Sequence, residues 1–500
     1  EIARQSRFTL AAGQSFEFGA DVFAGLHAGT GTATLSGGPL ARFDAPGLLA
    51  ALDRYPYGCT EQIASAAMPL LYFEEVAEAM GLAAGATARE RVGEAIAEVL
   101  TNQASNGSFG LWRPETGDMW LDAYVSDFLS RAKAQGFAVP ETAFRSAMDS
   151  LRNQVNYYPD FDLGGQDLAY ALFVLAREGA AAVGDLRYYA DVKGASFATP
   201  LAAAQLGAAL ALYGDQTRAD AMFRQAEALL PSSDPDPTLW RADYGTRLRD
   251  MAGLLALAVE AGSEAVDREG LAARIANAGQ GRSTQEAMWT LLAAHALIER
   301  PAVPLSVDGV PVDGPFVRVL EAQAAGAPLA IRNEGAREEV LTLTTFGVPS
   351  EPEPSGGNGW RIGRSYYTME GEPADPASVA AGTRLVTVLE VTPLGPREAR
   401  LIVNDPLPAG FEIDNPNLMR AGDIRALDWL GLDTETRHSE FRDERFLAAV
   451  DHYGDQPFRL AYIVRAISPG SFHHPAASVE DMYRPEFRAR TEAGRVTVTE

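Results

Sequence analysis

Hydrophobic and polar positions follow three different rhythms along the chain. From 8 to 40 they alternate, as in Ser15-Phe16-Glu17-Phe18-Gly19-Ala20-Asp21-Val22-Phe23, which predicts two or three strands. From about 48 to 299 the period becomes 3.6, with alanine and leucine stripes between short Gly or Pro breaks. Helices are predicted at 61–80, 88–105, 120–135, 141–154, 165–178, 200–213, 217–229, 246–261, 266–276 and 283–298. Paired helices at this spacing imply a closed ring or a solenoid. Alternation then returns over 304–346, with a turn at Asp308-Gly309. The opening strands are too few to bury a core alone, so this later segment is their expected partner. A linker at 348–359, reading Glu-Pro-Glu-Pro-Ser-Gly-Gly-Asn-Gly in its middle, separates a last region of about seven predicted strands, a β-sandwich whose clearest alternation is Arg384-Leu385-Val386-Thr387-Val388-Leu389-Glu390-Val391. The expected domains are 1–46, 47–300, 301–348 and 349–500.

Composition narrows the partners. The chain has 500 residues, 47% of them hydrophobic, and a net charge of -25, with an isoelectric point near 4.7. Such a surface lacks the basic footprint that phosphate backbones or anionic lipids require, so nucleic acid and direct membrane contact are excluded as partners of this chain. No uninterrupted apolar run is long enough to span a bilayer. Glu1-Ile2-Ala3-Arg4 does not read as a signal peptide, and the chain is expected to be a carboxy-terminal piece of something longer.

The chemistry concentrates in Tyr55-Pro56-Tyr57-Gly58-Cys59-Thr60-Glu61-Gln62. Cys59 is the single cysteine, so no intrachain disulfide exists, and a glutamine follows three positions on. On a helix that begins here, thiol and carboxamide share a face one turn apart. The thiolate can then attack the amide, expel ammonia and close an intramolecular thioester. A helix amino terminus favours the thiolate, and Gly58 permits a close backbone approach. Tyr55 and Tyr57 are placed to roof the bond. The plainer alternative is a buried cysteine acting as a small apolar side chain.

Gly58-Cys59-Thr60-Glu61-Gln62 resembles the Gly-Cys-x-Glu-Gln thioester motif of the alpha-2-macroglobulin and complement superfamily, and the preceding Tyr-Pro-Tyr resembles its bacterial branch. Trp120-Leu121-Asp122-Ala123-Tyr124-Val125, the loop Asn106-Gly107-Ser108-Phe109-Gly110-Leu111-Trp112, and Val479-Glu480-Asp481-Met482-Tyr483-Arg484-Pro485 are similar to further family segments. The resemblance implies a multidomain α and β fold: an alpha/alpha toroid thioester domain inserted in a small CUB-like β domain, then a macroglobulin-like β-sandwich. It implies a protease inhibitor rather than an enzyme. The Cys59–Gln62 thioester would acylate lysine amines of a trapped protease once, after cleavage of a bait segment that this piece does not carry. Glu61 would support the site, and Tyr55, Tyr57 and Met482 would shield it from water. No cofactor beyond the isoglutamyl cysteine cross-link and no metal are expected; His473-His474 lacks further ligands and reads as loop. His295 does not match the histidine that redirects some complement members toward hydroxyls. The implied setting is the periplasm, with a monomeric parent lipid-anchored to the inner membrane of a Gram-negative bacterium. Two other readings stand beside this one. Toroids also host carbohydrate-active enzymes, for which Asp160, Asp162 and Asp167 are the candidate acids, and the motif could be vestigial in a non-covalent adhesion or scaffold module.

Overall fold

The computed structural model describes residues 1–55, 57–80, 87–232, 241–279, 282–298, 303–313, 316–322, 328–414, 428–431 and 434–500. Pro56 and the domain boundary expected at 300/301 lie outside the described residues. The rest falls into two compact units, the first ending at Ser350 and the second holding Glu351–Glu500, with which Arg241 groups.

The first unit opens with β1 (Ile2–Leu10), β2 (Ser15–Phe18) and β3 (Thr32–Gly37), and closes with β4 (Leu305–Val307), β5 (Val310–Pro311), β6 (Val317–Glu321), β7 (Leu329–Asn333) and β8 (Glu339–Gly347). Among the described residues these strands form two sheets, ordered β1-β8-β3-β6 and β2-β7-β4-β5. Each sheet therefore mixes strands from both ends of the unit: Phe8 pairs with Leu341, and Phe16 with Ile331. Leu10, Phe18, Leu35, Phe316, Ile331 and Leu341 form the apolar layer of this small β domain. Neither half has enough strands to close that layer, which is why the partner sequence lies some 300 positions away.

Between the halves run the helices α1 (Pro39–Arg42), α2 (Ala45–Asp53), α3 (Thr60–Ala67), α4 (Glu74–Ala79), α5 (Ala88–Thr101), α6 (Met119–Ala134), α7 (Glu141–Asn156), α8 (Gln166–Arg177), α9 (Val183–Asp191), α10 (Pro200–Leu212), α11 (Gln216–Leu229), α12 (Arg247–Glu260), α13 (Arg268–Ala276) and α14 (Thr284–Leu297). Helix α3 packs on α6, α6 on α8, α8 on α10, α10 on α12 and α12 on α14, and α14 returns to α3. The helices make a toroid. The outer layer, α5, α7, α11 and α13, covers the ring. Sequence decides which helix goes where. In α10, Pro200 through Leu210 is buried without interruption, as an inner helix must be. In α7 burial is confined to one stripe, Phe144, Ala147, Met148, Ser150, Leu151 and Val155, which suits an outer position. Inside the ring Trp120 lies 5.2 Å from Tyr124, 5.5 Å from Tyr170 and 4.9 Å from Tyr244, centroid to centroid.

One predicted helix divides. The segment 61–80 becomes α3, a 3-10 turn at Met68–Leu71 and α4. Pro69 has no N–H to give and its ring crowds the preceding turn, so α3 cannot run through it. Helices α1, α2 and α9 were not expected. Proline and glycine at 46 and 47 obscure the start of α2, and α9 buries a single side chain, Leu186.

The second unit is all β: β9 (Gly356–Asn358), β10 (Trp360–Tyr367), β11 (Pro373–Ala374), β12 (Ser378–Ala380), β13 (Arg384–Pro393), β14 (Arg397–Pro406), β15 (Phe411–Ile413), β16 (His438–Phe441), β17 (Arg445–Gly454), β18 (Phe458–Ala466), β19 (Gly470–His474), β20 (Ser478–Asp481), β21 (Arg488–Arg490) and β22 (Gly494–Thr499). Sheets β11-β10-β13-β18-β15 and β16-β17-β14-β20-β21-β9 enclose a core that includes Trp360, Leu389, Leu401, Val403, Tyr462 and Val479, and β12-β22-β19 adds a third sheet. The described strands outnumber the seven expected because short edge strands such as β9 and β11 carry no alternation to read.

Candidate functional site

Helix α3 starts at a backbone of mixed character. Cys59 is extended (φ -75°, ψ 160°) and Thr60 is the first helical residue. The turn closes as a capping box: the Cys59 side chain receives the backbone N–H of Gln62, while Gln62 Oε1 accepts the Cys59 N–H at 3.1 Å. The same exchange between threonine and glutamate starts α5 at Thr87 and Glu90. At Cys59 its chemical consequence differs, because it lays a carboxamide across a sulfur. Both residues are buried, Cys59 at 0% and Gln62 at 2% exposure.

Glu61 points the other way, into the ring. Its carboxylate accepts Ser65 Oγ at 2.5 Å, Thr284 Oγ1 at 3.1 Å and Gln285 Nε2 at 2.7 Å. Thr284 and Gln285 begin α14, itself held by a Ser283–Glu286 capping box. Ser65 Oγ also lies 2.6 Å from Tyr124 Oη. Since the serine proton goes to Glu61, Tyr124 is the donor to Ser65, and burial together with the Glu61 charge holds the Tyr124 hydroxyl well above its ordinary pKa. Glu61 thus ties the Cys59–Gln62 turn to α6 and α14.

A second clamp acts on Thr60. Its N–H donates to Leu111 O at 2.8 Å and its hydroxyl to Gly110 O at 2.6 Å, while Asn102 Nδ2 donates to that hydroxyl at 2.8 Å. The loop carrying Gly110 is anchored in turn by Asp122, which accepts Phe109 N–H at 2.6 Å, Ser108 Oγ at 2.9 Å and Gln154 Nε2 at 2.8 Å. Burial pushes the Asp122 carboxyl up to about 6, against those three donors. Glycine is required in this loop. Gly107 has φ 90°, and a Cβ there would collide with the Ser146 carbonyl. Gly58, by contrast, has open space around it, so close backbone approach is not what that position demands here.

Tyr55 and Tyr57 meet edge to face at 5.2 Å, and Gln62 Nε2 reaches Tyr55 Oη at 3.4 Å. Both rings are half-buried. Beside them opens a surface cavity of about 250 Å³, bounded by α3 and α5.

Met482 belongs to the second unit. It is buried at the head of the turn from β20 to β21, where its N–H donates to Arg400 O at 2.9 Å. That turn is built on Asp481, which accepts the N–H groups of Tyr483 at 3.1 Å and Arg484 at 3.2 Å and pairs with the Arg484 guanidinium. Burial raises the Asp481 carboxyl to about 6 although Arg484 opposes it.

The remaining candidates disperse. His295 stacks on Tyr72 at 4.5 Å near the far end of α14. His474 faces Tyr366 Oη at 2.8 Å within the sandwich, and burial drops its pKa to about 3. Asp160 is exposed and paired with Lys193 at 2.6 Å, Asp162 is exposed, and Asp167 accepts Tyr158 Oη at 2.6 Å. Asp160 and Asp162 thus face solvent, and Trp120, Tyr124, Tyr170 and Tyr244 pack together inside the toroid. No group of three potential metal ligands occurs among the described residues.

Two family models match this architecture. Residues 38–157 match the A-macroglobulin TED domain and residues 359–486 the bacterial alpha-2-macroglobulin MG10 domain. Alpha-2-macroglobulin of Escherichia coli K12 is 32% identical over 470 residues, which is 88% of this chain and 28% of that protein. The crystal structure of native E. coli alpha-2-macroglobulin from domain MG7 to the C-terminus superposes with a TM-score of 0.84 at 28% identity, covering 100% of this chain and 82% of that one. The chain carries two domains of alpha-2-macroglobulin type and is similar along its length to bacterial alpha-2-macroglobulins. It corresponds to a carboxy-terminal portion of these alpha-2-macroglobulins and spans under a third of the curated relatives' length; for Xylella fastidiosa Temecula1 the figures are 28% identity, 95% of this chain and 31% of that protein. Salmonella alpha-2-macroglobulin reacted with methylamine matches equally well, with a TM-score of 0.84 and 30% identity over 100% of this chain and 33% of that one.

Proposed function

We propose that this chain carries the covalent-tethering part of a broad-spectrum protease inhibitor, in which a Cys59–Gln62 thioester acylates lysine amines of a captured protease once. The observation that carries the reading is the capping box at α3, which holds the Gln62 carboxamide against Cys59 in a buried turn. Thiolate attack on Cδ expels ammonia and leaves the thioester. Charge that develops on the Gln62 oxygen, both then and when a target amine attacks, falls opposite the Cys59 N–H that already donates to that oxygen. Glu61 and Thr60 keep the turn in register from two sides. Water is the competitor, so Tyr55 and Tyr57 act as local cover. The family relationship and a Salmonella relative reacted with methylamine support this chemistry.

The same reading puts the chain in the periplasm, on a monomeric parent anchored by lipid. Its test is to mix the chain with a lysine-bearing protease and analyse the product under denaturing conditions. A heat- and detergent-stable adduct joined at Gln62, absent with Cys59→Ala, is expected. Equal adduct from both proteins, or none from the unaltered chain, would contradict it.

A further inference from the structure

The cavity beside the reactive turn has a lining that the tethering reaction itself explains. One wall carries Gln62 and Ile63 of α3; the facing wall is α5, which presents Arg91, Glu94 and Glu98. Arg91 is paired with Asp53 across the rim. Glu94 and Glu98, one helical turn apart and solvent-exposed, have no hydrogen-bond or ion-pair partner for their carboxylates among the described residues. The cavity that Gln62 lines is thus acidic on its α5 wall.

Resting on the thioester reading, we infer that this cavity is the entry subsite for a cationic primary amine, and that Glu94 and Glu98 select ammonium nucleophiles over neutral ones. The placement follows from microscopic reversibility. Thioester closure expels ammonia from Gln62, and attack by an amine retraces that path. The Gln62 carboxamide nitrogen therefore marks where an attacking nitrogen must arrive. That nitrogen belongs to a side chain that lines the cavity. Two carboxylates at the mouth raise the local concentration of a lysine side chain and do nothing for a hydroxyl or for water. In the step itself the ammonium first gives one proton to a cavity carboxylate or to solvent. Its lone pair bonds Cδ of Gln62, the Cδ–Sγ bond breaks with both electrons on sulfur, and a second amine proton passes to Cys59. Ammonium plus thioester gives amide, thiol and one free proton.

The test uses the chain with its thioester closed and follows thiol release by methylamine, a cation at neutral pH, and by hydroxylamine, which is largely uncharged there. In the Glu94→Gln/Glu98→Gln variant the methylamine rate at low salt is expected to fall about three- to tenfold, while the hydroxylamine rate stays within about twofold. Added salt slows methylamine on the unaltered chain and leaves the variant unmoved. Glu94→Lys/Glu98→Lys extends the methylamine loss and again spares hydroxylamine, which also verifies that the site is folded. Equal slowing of both nucleophiles, or an unchanged methylamine rate, overturns the amine subsite alone. Absence of thiol release from the unaltered chain by either reagent overturns the thioester reading and the subsite together.

Discussion

At the start of α5, Thr87 Oγ1 accepts the Glu90 N–H at 3.1 Å and Glu90 accepts the Thr87 N–H at 2.7 Å. At the start of α3, Cys59 and Gln62 make the corresponding exchange. The first turn is exposed, and its worth is that of an ordinary cap. The second is held between α14 on one side and the Phe109–Leu111 loop on the other, and its two side chains are a thiol and a carboxamide. Local geometry is common to both. What distinguishes the Cys59–Gln62 turn is the residue pair and the burial that the rest of the toroid provides.

The largest break in that comparison is Cys59→Ala, which should abolish the thioester and all amine-released thiol while the fold persists, as thiol titration and circular dichroism would report. Thioester chemistry surviving that change would sink the account. Next is Glu61→Ala. It leaves Ser65, Thr284 and Gln285 facing a buried gap, and about 3 kcal/mol of stability should go, read by denaturant unfolding, along with slower thioester closure. An unchanged midpoint would show that the network is not what holds the turn.

A third test uses pH. Folded Asp122 keeps its proton up to about pH 6, whereas the unfolded group releases it near its ordinary value of 3.8. The native state then holds the extra proton between those values, so Asp122 ionisation costs stability as pH rises from about 4 to about 6, by about 3 kcal/mol in all. Asp122→Asn removes that slope; parallel pH profiles for the two proteins would refute the assignment. Smallest is Thr87→Ala, which should cost about 1 kcal/mol and leave thioester closure untouched. A loss of closure there would mean that the two caps are coupled.

The sequence made part of this legible. The Cys59–Gln62 spacing and the 3.6-residue stripes of the ring depend on nearest neighbours along a helix, and these patterns survive in one dimension. The partners of Glu61 do not: Thr284 and Gln285 lie more than 220 positions away and meet it because the ring closes. Asp122 lies on the helix predicted over 120–135, yet its carboxylate anchors the loop that grips Thr60. The nearest signal was the glycine density of 106–112, since glycines that admit a carbonyl at contact distance mark a loop pressed against something. Pro69 is readable as a helix break, yet the helix predicted over 61–80 runs through it.

The most direct measurement is the intact mass of the purified chain, with a thiol assay, before and after methylamine. The account predicts a mass one ammonia below that of the sequence and no titratable thiol, then gain of one methylamine and exposure of one thiol, mapped to Gln62 and Cys59. A mass equal to that of the sequence, with Cys59 titratable under denaturing conditions from the outset and Gln62 still a carboxamide, would contradict it.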